Sequence, residues 1–467
     1  MGICFKKTCV LVLRIVECNL CVRNSGRSLI RKVRGKTEMR INRRRRFISA
    51  LFLILLFFNG QGIALGSDND TYLEGLIKEV LERNPDIIKT RERKSASEHL
   101  VLPAGTLPDP QVGFSLSNFP TDSFSRSREP MTSVDVFFTQ MIPFPGKLSM
   151  KEEVANIRSK QVGWSVAELE NMLIYRTKRA YFKLFEITQS IGITGKTKAI
   201  LREFLEVARQ SYAVGRSLQQ DVLRAQTNVS NIERRLFELE KMRVEAEALI
   251  NTLRSAEVDA SVSVPDGLKL DEVPYTEKEL LESAEVANPT LERLRLKIDE
   301  GETEVSIASR ELYPDFALST RYRVREDRSD FVTGAVVLTL PLYASRKQKE
   351  IITSRKYSLK SDERAYESYL DQVEFQIRDI QSDLYSLRNR ISLLDSAIIP
   401  AGKNTVESAL SAYRVGKLEF NSLVSAEIDL FRYELERAAH VSRYNERIAE
   451  LWMVIGKTLT PKEVSDE

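Results

Sequence analysis

From residue 147 to residue 212 the chain runs without a proline. Apolar residues recur there at three and four, as in Leu173, Ala180, Leu184 and Ile187. That is the period of a helix with one buried stripe. About 65 residues of continuous helix would reach ~100 Å, too long for an ordinary globular domain. Residues 218–254, 345–412 and 418–458 read the same way, with Pro400 interrupting one of them. In the first of these, Leu236, Leu239, Val244 and Leu249 carry the stripe. Breakers are scarce throughout, with Pro 15 and Gly 20 in 467 residues. The chain must therefore build an elongated bundle or coiled coil.

The chain also repeats itself. Asn84-Pro85-Asp86 returns as Asn288-Pro289-Thr290, and Leu107-Pro108-Asp109 as Tyr313-Pro314-Asp315. Ile142-Pro143 returns as Leu340-Pro341, and Tyr212-Ala213-Val214-Gly215-Arg216 as Tyr413-Arg414-Val415-Gly416-Lys417. The offsets are 204, 206, 198 and 201, in the same order. Four ordered landmarks at a nearly constant spacing indicate a tandem duplication. The seam falls at 264–274, where Pro265, Gly267 and Pro274 break the helical pattern. The domain reading is a leader over 1–66, a first repeat over 67–264, a second over 265–460 and a tail over 461–467.

Each repeat has one grammar. A short helix is followed by Asn-Pro, a cap residue and a first-turn proline that start a second helix. That helix ends before Pro108 or Pro314. Two strand-like runs come next, expected over about 111–119 and 133–143, then over 315–325 and 331–342. Val112, Phe114 and Leu116 alternate with Gly113, Ser115 and Ser117, and Val134, Val136 and Phe138 with Asp135 and Thr139. Leu318, Tyr322 and Val324 oppose Ser319, Arg321, Arg323 and Arg325; Val332, Val336 and Leu338 oppose Thr333, Ala335 and Thr339. Period-two alternation over about ten residues is the pattern of a transmembrane β-strand. A small soluble sheet lying on a helix would show it too. Arginines at three alternate positions of one face fit a wet lumen better than a packed core. Four strands cannot close a membrane barrel, and open edges are not tolerated in hydrocarbon, so a chain of this kind must oligomerise.

Charge and cysteine usage narrow the location. Residues 1–66 hold fourteen Lys/Arg against two Asp/Glu, leaving 56 basic against 64 acidic in the remainder, a net −8. A mildly acidic body argues against nucleic acid as partner. Five arginines between Arg40 and Arg46, an apolar stretch over 47–58 and the small residues Ala64-Leu65-Gly66 have the order of a secretory signal peptide. Twelve helical residues span only ~18 Å, too few for a membrane anchor. Met39 is the better start for such a signal. All four cysteines (Cys4, Cys9, Cys18, Cys21) lie in the leader. The body therefore offers no disulfide, thiolate metal site or cysteine nucleophile. His99 and His440 stand in no metal-ligand spacing, and no phosphate loop or nucleophile elbow occurs. The expectation is no enzyme, no cofactor and no metal. The six methionines after the leader show no relay spacing and read as packing residues.

Taken together, these features resemble the TolC-type outer membrane efflux protein family over roughly residues 72–459. The resemblance rests on the doubled Asn-Pro starts, the strand pairs between prolines, the segment 140–147 (Gln-Met-Ile-Pro-Phe-Pro-Gly-Lys) and the paired Tyr-x-Val-Gly turns. It implies a mainly α fold with a small membrane β part. Two long-helix repeats would build an α-barrel, and the four strands of each chain would close a twelve-stranded β-barrel in a homotrimer. It further implies an outer membrane exit channel with a periplasmic extension, in a Gram-negative bacterium. Such a channel works with a periplasmic adaptor (membrane fusion) protein and an inner-membrane transporter of the resistance-nodulation-division (RND) class. The 140–147 segment is most similar to the heavy-metal/cation subgroup. Type I protein secretion on the same fold, or a periplasmic coiled-coil or adaptor-like protein, are the alternative readings.

The resemblance assigns sites as well. Gly215 and Gly416 lie where a long helix must reverse, and glycine takes the left-handed conformation there without a Cβ clash. An ordinary helical hairpin would need the same glycine. The family makes these tips the adaptor-docking mouth, carried here by Arg209, Tyr212, Val214, Gly215 and Leu218, and by Tyr413, Val415 and Gly416. Asp221, Ser422 and Ser425 occupy the positions of a periplasmic gate. Ser422 and Ser425 replace the carboxylates of some relatives, so Asp221 is the one acidic contributor. Arg321, Arg323 and Arg325 are expected to face the lumen.

Overall fold

The computed structural model describes residues 68–456. The expected signal peptide, the expected start at Met39 and the tail over 461–467 lie outside the described residues. α1 (Asp68–Arg83) is followed by α2 (Pro85–Glu98) and a short α3 (Val101–Gly105). β1 (Gln111–Ser117) and β2 (Ser133–Ile142) lead into α4 (Lys147–Ala213) and α5 (Gln219–Leu253). The order then recurs: α6 (Glu277–Ala287), α7 (Pro289–Arg310), β3 (Asp315–Val324), β4 (Phe331–Thr339), α8 (Gln348–Leu393), α9 (Ile399–Arg414) and α10 (Phe420–Ile455). The protein is thus mainly helical, with one small antiparallel sheet.

The Asn-Pro pairs work as caps, and they also do more. Asn84 Oδ1 accepts from Asp86 N at 2.9 Å, while its Nδ2 donates to the Leu253 carbonyl at the end of α5, 2.9 Å away. Asn288 Oδ1 accepts from Thr290 N and Leu291 N, and its Nδ2 donates to the Val454 carbonyl near the end of α10 at 2.6 Å. In both places one buried amide starts a helix and satisfies an orphan carbonyl of another. Thr276 and Glu279 add a capping box at the start of α6.

α4, at 67 residues, is the spine. Its strand-proximal half packs on α2, α3 and α7, and its far half on α5 and α10. Near the hairpin ends, Leu201, Phe204, Leu205 and Ala208 of α4 join Ala225, Val229 and Ile232 of α5 and Leu423 and Val424 of α10. Further along, Val373, Ile377, Ile380 and Leu384 of α8 pack with Val441, Tyr444 and Leu451 of α10 and with Leu280 and Ala284 of α6.

Two interruptions differ from the sequence expectation. The helix before Pro108 is not continuous: α2 stops at Glu98 and α3 resumes at Val101, whereas α7 runs unbroken to Arg310. Pro400, expected to break its helix, sits in the first turn of α9, where the missing N–H is tolerated. The irregularity precedes it as a π-turn over Leu394–Ile398.

The sheet has the order β1-β2-β3-β4, antiparallel throughout. β2 pairs with β3 over their full common length, from Val134↔Val324 to Ile142↔Phe316, so the strands of the two halves form one surface. Below the sheet, the junction with the helices is tightly fixed. Lys147 Nζ binds Asp315 Oδ1 at 2.8 Å, and Phe144 stacks on Tyr313 at 4.6 Å. Gly146 takes φ 85°, a left-handed conformation that selects glycine, and the Arg310 guanidinium lies against the space a Cβ would take.

Candidate functional sites: two helical tips and a two-faced sheet

Both hairpin tips are Schellman turns built on glycine. In the first, Gly215 has φ 73°; its N–H donates to the Tyr212 carbonyl at 2.9 Å and the Arg216 N–H to the Ser211 carbonyl at 2.8 Å. In the second, Gly416 also has φ 73°; its N–H donates to the Tyr413 carbonyl at 2.9 Å and the Lys417 N–H to the Ala412 carbonyl at 3.0 Å. These are the paired bonds that close a helix when the residue past its end is left-handed. Nothing lies within 4 Å of a Cβ added at either glycine, so the conformation, not space, selects them.

The side chains at the tips divide into two groups. Val214, Leu218 and Val415 are 66%, 63% and 68% exposed, and Tyr212 is 48% exposed. Large apolar side chains held this open are more than an isolated surface residue needs. Arg209 is exposed and paired with Glu206 at 2.7 Å. Tyr413 is different. It is buried, packs edge-on against Phe420 at 5.5 Å and belongs to the core joining the two hairpins. Burial, reinforced by the Asp221 carboxylate, pushes its phenol above the ordinary value. The repeat equates Tyr212 with Tyr413, yet one tyrosine is presented and the other holds the tips together. Asp221 is half-buried, while Ser422 and Ser425 are exposed on the first turns of α10. Arg414 binds Glu203 at 3.3 Å, a second tie between hairpins.

The sheet separates chemistry by face. Directly opposed residues share a face, and the register Leu116↔Val134, Phe114↔Val136 and Val112↔Phe138 puts six apolar side chains of β1 and β2 together. Val136↔Tyr322 and Leu318↔Val336 extend that face across β3 and β4. Phe114, Val332 and Val336 on it are 77%, 74% and 68% exposed. A continuous apolar band open to its surroundings has no place in water.

The other face is polar and knitted. Asp135, fully buried, accepts from Ser133 Oγ at 2.6 Å, Ser117 Oγ at 3.0 Å and Arg323 Nε at 3.3 Å. Arg321 lies 3.5 Å from the same carboxylate and 5.9 Å from the Phe137 ring. Thr139 and Ser319 are hydrogen-bonded at 3.1 Å. Gly113 faces Phe137; a Cβ there would come 2.4 Å from that ring. Arg321 and Arg323 thus share the polar face, as their alternation predicts. Arg325 lies just past the end of β3, its guanidinium 4.0 Å from the Phe331 ring and bonded to the Ser329 carbonyl.

Sequence reasoning placed Asp135 on the polar face but missed its role as the counter-charge. That role depends on Asp135 lying opposite Arg323, a register between strands 188 residues apart. No local pattern carries this information.

The chain matches the family model described as outer membrane efflux protein over residues 76–254. It is 22% identical over 418 residues to the outer membrane protein TolC of Vibrio cholerae, covering 84% of this chain and 92% of that protein. Among solved structures, the outer-membrane channel OprN superposes with a TM-score of 0.73 at 16% identity, covering 83% of this chain and 90% of that one. The outer membrane protein VceC of Vibrio cholerae superposes with a TM-score of 0.71 at 17% identity, covering 82% and 96%.

Proposed function

The chain belongs to the TolC-type outer membrane efflux protein family, and from this we propose that it is the outer membrane exit channel of a tripartite efflux system. The observation that carries this reading is the two-faced sheet. One face is an exposed apolar band, the other holds charges and hydroxyls, and both edges, β1 and β4, are unpaired. In hydrocarbon an unpaired edge costs several kcal/mol per backbone group, so the sheet enters a membrane only when closed by other copies. Three chains with four strands each would close a barrel of twelve, the assembly the family uses. The apolar face then meets lipid and the arginine face lines the pore.

The same reading makes the chain a tandem duplication, supported by the paired Asn caps and the paired Schellman tips. The long helices form the periplasmic wall, and the tips dock a periplasmic adaptor that leads to an inner-membrane transporter. The exposed Tyr212, Val214, Leu218 and Val415 form the contact surface, and Gly215 and Gly416 shape it. Arg209 flanks the first tip, and Tyr413 supports the second from inside. Asp221, with Ser422 and Ser425, forms the inner rim of the mouth. Association with an RND-class transporter of the heavy-metal/cation subgroup is the specific form of the proposal, supported by the 140–147 segment. The leader directs secretion, and the protein resides in the outer membrane of a Gram-negative bacterium.

Fractionation and transport test it together. The protein should remain in the outer membrane after a high-salt wash, and cells lacking it should accumulate pump substrates until the wild-type chain is restored. Release by salt would favour a peripheral periplasmic protein; retention with unchanged accumulation would point to protein export instead.

A further inference from the structure

Glu427 sits on α10, about 10 Å along the helix from the second tip. It is 1% exposed, and its Oε2 has no hydrogen-bond partner. Leu423 and Leu430 flank it on the same face and are buried. Across the seam, α4 presents the buried Ser190, Thr194 and Thr197. Ser190 and Thr194 spend their hydroxyls on their own helix, donating to the Glu186 and Ser190 carbonyls at 2.7 and 2.6 Å. Of the three, Thr197 is the one whose hydroxyl favours the charged form of Glu427.

Among the described residues no Lys or Arg reaches it within ion-pair distance. On α4, Lys198 is turned to Glu233 of α5 at 3.0 Å, which Arg202 also binds. On α9, Lys403 faces Glu434 at 3.9 Å. Glu434, on Glu427's own helix, adds a like charge. A bare carboxylate here would be buried and unpaired, a state proteins avoid by holding the proton.

A helical irregularity lies beside the site. One turn further, Leu430 packs on Leu394 and Ile399, at either end of the π-turn. Arg437 of α10 binds Asp395 inside that turn. At Leu430, α10 therefore packs against a break in the regular i→i−4 ladder rather than against continuous α-helix.

We propose that Glu427 is a proton-operated latch in the helical wall: protonated, it lets α10 close on α4, and loss of its proton to solvent loosens the seam on the tip side. The latch rests on packing within this chain. Its bearing on transport rests on the channel reading, since a looser seam next to the tips widens the periplasmic mouth.

Hydrogen exchange of the intact protein in detergent tests it. Amide protection of residues 420–430, corrected for the intrinsic pH dependence of exchange, should be constant at low pH. It should fall by up to tenfold per pH unit as pH rises from about 4.5 to about 7, and level off above that. Glu427→Gln should keep full protection at every pH. Thr197→Val removes the hydroxyl that favours the charged form and should extend the decline to higher pH. Unchanged wild-type protection between pH 4.5 and 7 would overturn the latch, as would a Glu427→Gln protein that loosens like wild type. Planar-bilayer recordings of the same samples report on the pore separately: a pH-dependent seam without conductance would refute the channel and leave the latch standing.

Discussion

Single charges in this protein matter most where the structure gives them few partners, and Glu427 and Asp135 are opposite cases. Burial, with Glu434 as a further repulsion, raises the Glu427 carboxyl from 4.5 to about 7. Between those values the native protein holds a proton that the unfolded chain has released. Stability contributed at this site is therefore full below pH 4.5, declines as pH rises through 7 and is flat above it. The total is roughly 3 kcal/mol from 1.36 kcal/mol per unit. Thermal unfolding of the wild type should thus lose more stability between pH 5 and pH 8 than Glu427→Gln does; equal slopes would show the site to be solvated. Asp135 is the satisfied case, with two hydroxyls and two arginines around one carboxylate. It neutralises one of the two charges that Arg321 and Arg323 bring to the polar face. Asp135→Asn should therefore raise the net positive charge of each chain's polar sheet face by one. Reversal potentials in a salt gradient should shift toward anions. Arg321→Ser with Arg323→Ser should shift them toward cations, and no shift in either would place this face away from the conducting path.

At the scale of elements, the tips are where geometry and exposure coincide. Gly215→Asp or Gly416→Asp puts a Cβ into a left-handed site, at a cost of about 1–2 kcal/mol. Open space around both positions means that no packing is lost. Each also sets a charge beside Val214 or Val415. Secretion and oligomer formation should survive, while cross-linking to the adaptor and efflux-dependent resistance fall. Normal resistance with normal protein levels would reduce the tips to plain turns. Much of this was legible in the sequence, because caps, turns and period-two alternation are local: Asn84, Asn288, Gly215, Gly416 and the strand faces all follow from neighbours a few residues away. What escaped was set at a distance. The burial of Tyr413 against α4 and α5, the Asp135–Arg323 pair and the isolation of Glu427 each depend on which elements meet. The placement of Pro400 escaped for a related reason, since the π-turn before it absorbs the break.

For the molecule as a whole, the question is what closes the sheet. A ten-residue strand such as β3 spans about 33 Å, and tilted by ~40° it covers about 25 Å, the height of the apolar band in an outer membrane. The strands are therefore long enough to cross, but one chain provides four where at least about eight are needed. β1 and β4 are both free to pair, and their exposed apolar side chains (Val112, Phe114, Val332, Val336) leave no soluble alternative at the edge. The helical part points the same way. α4 and α5, and α8 with α9 and α10, form antiparallel layers with much apolar surface still open, as at Phe237, Val244 and Tyr385. Insertion, barrel closure and helix association should therefore be one concentration-dependent event. Native mass spectrometry of detergent-extracted protein should give a single trimeric species and no folded, membrane-inserted monomer. Removing edge pairing with prolines in β4 should abolish the trimer and the membrane-bound protein together. A stable inserted monomer, or a trimer that persists with β4 disrupted, would mean that the sheet is closed by something other than copies of this chain.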